Sequence, residues 1–157
     1  MSTFEHVFIR TQLGAADLAA ELSALLDLEL TRDDEGRVYL NRPASAGRPG
    51  IVGGELYGNR YGYPLNDPEE ESLIDGYDLV WDIGYSRRDG DVQLDEARRL
   101  FEEVTAKGCW PVVLLQGLDL LLACWDARSG YQEFPPGTSP DVDHRALWAP
   151  YRQPPRA

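Results

Sequence analysis

The spacing of apolar residues changes several times along the chain, and each change marks an expected element. Residues 4–10, FEHVFIR, are β-branched and aromatic and predict a first strand. Over 14–26 the apolar positions Ala15, Leu18, Leu22, Leu25 and Leu26 recur every three or four residues, the period of a helix. Residues 28–31 and 37–41 then flank a polar, glycine-ended stretch at 32–36 and predict a hairpin. Pro43, Gly47, Pro49 and Gly50 make 42–50 a loop. A further strand is expected at 51–57, where Gly53 and Gly54 mark a bulge or a close backbone approach.

The second half repeats this order. Residues 77–85 place Leu79, Trp81, Ile83 and Tyr85 on one face of a strand. Residues 92–107 carry the clearest helical stripe, Leu94, Ala97, Phe101 and Val104, with Lys107 and Gly108 as stop signals. The runs 111–116 and 120–125 are apolar on both faces, which suits strands inside a sheet. Each half thus reads strand–helix–strand–strand. The expected fold class is α+β: a mainly antiparallel sheet with two helices packed on one face. One domain is expected over 1–127. Residues 128–157 hold six of the eleven prolines and read as an irregular tail, partly docked through Trp148 and Tyr151.

Composition narrows the function more than the fold. The 157 residues carry 15 Lys+Arg against 27 Asp+Glu, a net charge of -12. Such a surface repels phosphate, so neither nucleic acid nor an anionic membrane is an expected partner. The longest apolar region, 109–125, is interrupted by Pro111, Gln116, Gly117 and Asp119 and does not read as a membrane span. The N-terminus lacks the pattern of a secretory signal, and Cys109 and Cys124 read as free core thiols, so a cytoplasmic location is expected. The strong excess of Arg over Lys points to a GC-rich bacterial coding sequence.

No catalytic constellation emerges. There is no GxSxG, and the two histidines are His6, inside a predicted strand, and His144. The glycines at 53–62 fit neither a P-loop nor a dinucleotide fingerprint. Asp89, Asp91 and Asp95 resemble the start of a calcium loop, but Leu94 stands where that loop needs glycine. Asp141, Asp143 and His144 have ligand chemistry, but a short polar cluster of this kind usually means only solvation. No cofactor, no metal and no enzymatic activity are expected.

One segment stands out. Between residues 61 and 86 there is no Lys or Arg, while Asp67, Glu69, Glu70, Glu71, Asp75, Asp78 and Asp82 are all acidic. Tyr57, Tyr61 and Tyr63 lie at its start, and Tyr77, Trp81 and Tyr85 follow. Carboxylates steer a cationic partner, and aromatic side chains resist its dissociation. The expected partner-binding residues are therefore Tyr57, Tyr61, Tyr63, Asp67, Glu69, Glu70, Glu71, Asp75, Asp78 and Asp82, directed at a basic protein. Size, acidity, the Pro-Glu-Glu-Glu stretch at 68–71 and the aromatic strand at 77–85 make the chain resemble the immunity proteins of bacterial polymorphic-toxin and contact-dependent inhibition systems. That resemblance implies a protein that neutralises a toxin domain by covering its active site. The alternative is a small-ligand-binding or adaptor module, with the stretch 57–63 lining a pocket.

Overall fold

The structure, a computed structural model, describes residues 3–62 and 69–154. The strands are β1 (Glu5–Ile9), β2 (Glu29–Arg32), β3 (Val38–Pro43), β4 (Ile51–Gly58), β5 (Leu79–Tyr85), β6 (Val112–Gln116), β7 (Leu120–Asp126) and β8 (Gly130–Glu133). Two long helices, α1 (Ala15–Leu26) and α2 (Gly90–Lys107), follow β1 and β5, and a single turn, α3 (Arg145–Trp148), lies near the C-terminus. The strands form one antiparallel eight-stranded sheet in the order β2-β3-β4-β5-β1-β6-β7-β8. The α+β class with helices on one face is as the sequence predicts.

The topology explains why both helices share a face. β1 and β5 are antiparallel neighbours at the centre, and their helical crossovers leave in opposite directions, one to the β2 edge and one to β6. Crossovers of the same hand then necessarily land on the same side of the sheet. The two halves share the element order strand–helix–strand–strand–strand, but they do not share its layout. The first meander reaches the centre with its last strand, β4, and the second with its first, β6.

The helical face buries Val7, Ile9, Leu56, Trp81, Ile83 and Leu114 from the sheet against Leu18 and Leu22 of α1 and Ala97, Leu100, Phe101 and Val104 of α2. Leu94, expected in the buried stripe, is only half-buried, because it lies near the start of α2, where it lines a cleft. Asp89 caps that start by accepting a hydrogen bond from the Val92 amide, an ordinary use for the acid of the suspected calcium loop. Gly108 ends α2 without a left-handed turn. A Cβ there would stand 2.8 Å from the Trp110 ring, so the glycine makes room for that ring.

The opposite face is half covered. Phe8, Val80, Val113, Leu115, Leu121 and Cys124 are buried there by Leu73, Ile74 and Tyr77 and by Phe134, Trp148 and Tyr151 from the C-terminal segment. The described residues 128–154 therefore differ from an irregular tail: they supply β8 as well as the aromatic cover, and the expected boundary at 127 falls in the β7–β8 turn. The docking of Trp148 and Tyr151 is as expected, whereas β8 and the burial of Phe134 were hidden by a proline-rich composition that does not prevent nearby residues from pairing and packing. Cys124 is buried, which pushes its thiol pKa up, but Cys109 is exposed, contrary to its apolar neighbourhood in sequence. Gly53 and Gly54 make a close approach rather than a bulge. The β3–β4 register runs unbroken through them, and a Cβ on Gly54 would lie 2.5 Å from the Asp82 carbonyl oxygen.

Candidate functional site

The pleat of β4, β5 and β1 sends Tyr57, Asp82 and His6 to the face opposite the helices, where alternate residues must point. Here the structure assembles a hydrogen-bond chain. The Tyr57 hydroxyl donates to Asp82 Oδ1 at 2.8 Å, and the Tyr61 hydroxyl lies 2.7 Å from that of Tyr57. His6 Nδ1 lies 2.7 Å from the same Asp82 oxygen. An ionised carboxylate only accepts, so the proton of this contact sits on Nδ1. The rings pack as well as bond: Tyr61 lies edge-on to Tyr57 and Phe8, and the Arg60 guanidinium sits 4.8 Å from the Tyr57 ring centroid. Of the expected site residues, Tyr57, Tyr61 and Asp82 are thus brought together.

A His–Asp pair can orient a base, but the hydroxyl in this chain is a poor nucleophile. Burial first, then the hydrogen bonds with Tyr61 and Asp82, hold the Tyr57 hydroxyl pKa well above its ordinary value, so it stays neutral. The arrangement fixes shape and polarity on the sheet face.

The remaining acidic residues divide by what they touch. Asp78 accepts from the Thr11 amide at 2.9 Å and lies 3.9 Å from the Arg10 guanidinium, tying β5 to the end of β1. Asp75 accepts from the Ser72 amide at 2.9 Å and closes a capping box over the short helical turn Leu73–Gly76. Glu71 binds Arg152 at 2.7 Å and Arg145 at 3.6 Å, clasping the C-terminal segment. These three read in sequence as part of a charged surface, yet they hold the fold. Asp75 is held locally, but the partners of Asp78 and Glu71 come from distant parts of the chain, which a linear charge count cannot see. Glu69 and Glu70 are exposed and line a small groove with Asp141 and Val142. Tyr63 and Asp67 lie outside the described residues.

Sequence reasoning missed the residues around this cluster. The register puts Tyr39 opposite Glu55, and the pairs Gly53↔Gly84 and Leu56↔Trp81 bring Glu55 opposite Asp82. Phe4 and Ile51 are exposed nearby. Strand alternation would have placed Glu55 on the face of Tyr57, but only the pairing of β4 with β3 and β5 gives it these neighbours. The covering segments pack over β5, β1, β6 and β7, so this acidic and aromatic part of the face, on β3, β4 and the end of β5, stays open.

A second concavity lies at the helical face, where a cleft of about 840 Å³ runs between the ends of β1 and β5 and the start of α2. Its lining includes Glu5, Gln93, Ser86, Arg87 and Arg88. Among the described residues no group of three or more His, Cys, Asp or Glu side chains is placed to hold a metal. No helix of the described chain is long and apolar enough to cross a membrane. Comparison with known protein families, with curated proteins and with solved structures returns no match to this chain.

Proposed function

We propose that the protein is an acidic binding module that neutralises a basic protein partner, in the manner of an immunity protein blocking a toxin domain. The observation that carries this reading is the half-open sheet face. Tyr39, Tyr61 and Phe4 supply aromatic surface there, while Glu55 supplies charge beside the inward hydrogen-bond pair of Tyr57 and Asp82, and Glu69 and Glu70 stand exposed on the acidic segment that follows. Many of the arginines are meanwhile occupied within the fold, including Arg37, Arg42, Arg48, Arg99 and Arg152. The excess negative charge therefore falls on carboxylates that a cationic partner can reach, a pattern that accelerates encounter.

The test takes a basic toxin domain sought among the products of the neighbouring genes. Co-expression should restore growth, and the purified pair should associate at a rate that falls steeply from 20 to 300 mM salt. Replacing Glu55, Glu69 and Glu70 with Gln should slow association by about tenfold at low salt and flatten that dependence. Glu71 is left intact because it holds the C-terminal segment. An unchanged rate across the salt range, with the fold intact, refutes the reading. A second reading, a small-ligand or adaptor module, is favoured by the cleft beside α2, which lies away from the acidic face.

A further inference from the structure

The cleft beside α2 is lined by charges of opposite sign held on different elements. Glu5 projects from the central strand β1 and is 4% exposed, so its carboxylate is almost wholly withdrawn from water, yet it lines the cleft. Its one side-chain hydrogen bond comes from Gln93 Nε2, at 2.6 Å to Oε2. Gln93 is itself fixed. Its amide also donates to the Thr3 carbonyl at 2.6 Å, and its oxygen accepts from the Tyr85 amide at 2.9 Å. A neutral amide satisfies one oxygen of a buried carboxylate but gives it no ion pair, an arrangement a cation would improve. Burial accordingly holds the Glu5 carboxyl above its ordinary pKa.

The other side of the cleft carries Arg87 and Arg88, both exposed and neither ion-paired to a described residue. They sit on the turn that leads into α2, whose positive dipole end adds to their field. Two acids share that rim. Asp89 is spent on capping α2, while Asp91 is exposed in the first turn. The cleft thus offers a buried anion at its floor and two exposed cations at its mouth. Its volume falls within the roughly 300–1,000 Å³ of small-molecule sites.

We infer that this cleft binds a small zwitterion of the amino-acid or short-peptide class, its ammonium group against Glu5 and its carboxylate against Arg87 and Arg88. The recognition is bipartite: each end answers a charged group with no ion pair to a described residue, and neither end alone satisfies both. Guanidinium groups suit the carboxylate because they offer paired, planar donors. The site gives the small-ligand reading a location, and it stands or falls independently of binding at the acidic face.

The experiment titrates the full chain, labelled with ¹⁵N, with glycine, β-alanine, γ-aminobutyrate, diglycine and triglycine, a series of increasing separation between the charges. At least one member should give saturable shifts at Glu5, Gln93, Arg87 and Arg88. Acetylating the amine or amidating the carboxylate of that member should weaken binding by tenfold or more. Glu5→Gln should abolish the saturable response, while the double substitution Arg87→Gln and Arg88→Gln should weaken it at least tenfold with an unchanged amide spectrum elsewhere. If no member of the series gives saturable shifts at these residues by 10 mM, the inference is wrong. It is equally overturned if the acetylated and amidated compounds bind as well as the parent, because the charges are then not what the cleft reads.

Discussion

Replacing Trp148 with Ala tests whether the C-terminal segment belongs to the core. Trp148 is wholly buried against the sheet face that carries Phe8, Val80, Val113 and Cys124, and its Nε1 donates to the Asp141 carbonyl at 3.0 Å. A buried tryptophan hides roughly 150–250 Å². At about 25 cal/mol per Å² that area is worth about 4–6 kcal/mol. Aromatic truncations in cores cost about 3–5 kcal/mol, the lower values where neighbours can close the gap. A covering segment can settle inward more easily than a central strand, so we expect a loss of about 3–4 kcal/mol. That is a large share of the roughly 5–15 kcal/mol that stabilises a domain. Urea unfolding followed by far-UV circular dichroism measures it without relying on tryptophan fluorescence. Leu147→Ala is the control: that side chain is 41% exposed, and its loss should shift stability by less than about 0.5 kcal/mol. A loss below about 1 kcal/mol for Trp148→Ala would show that the segment is an appendage and that β8 and the aromatic cover add little to the fold.

Two further substitutions probe the helical face and the strand pairing beside the open one. Glu5→Gln should raise stability at neutral pH while keeping the hydrogen bond from Gln93. Because burial raises the folded-state pKa of Glu5, its favourable contribution is complete below about pH 4.5 and is lost as pH rises through the raised value. The gain from Glu5→Gln should therefore be largest above that window and vanish in acid, which thermal melts at pH 4 and pH 7 would compare; an equal gain at both would refute the assignment. Gly54→Ala should cost up to about 3 kcal/mol, since its Cβ would press on the Asp82 carbonyl in the paired strand, whereas Gly58→Ala meets no atom within 4 Å and should be nearly neutral. Equal melting points for these two variants would show that β4 and β5 do not approach as described.

Much of the fold is legible in the linear pattern because helices and strands impose different periods on the same hydrophobic requirement. The stripe of Ala97, Phe101 and Val104 defines α2, and the alternation of Leu79, Trp81 and Ile83 defines the buried side of β5. The close approach at Gly54 and the docking of Trp148 and Tyr151 are legible too, since a missing side chain and a large aromatic side chain each carry a local meaning. The net charge and the acidic run are properties of composition alone. The candidate site needed more. A linear count treats Glu71, Asp75, Asp78 and Asp82 alike, but Asp75 closes a local capping box with Ser72, while folding brings Arg145 and Arg152 to Glu71, the Thr11 amide to Asp78 and His6 with Tyr57 to Asp82. Whether a carboxylate is spent inside the fold or offered to a partner depends on which distant donor reaches it within about 3 Å, the range over which a hydrogen bond acts. The linear pattern specified the elements as far as β7, most of their buried faces and the sign of the surface, but not β8, whose pairing with β7 the tail's composition hides. Strand order and register, which join residues far apart in the chain, decided which acids remain open and set Glu5 across a cleft from Arg87 and Arg88.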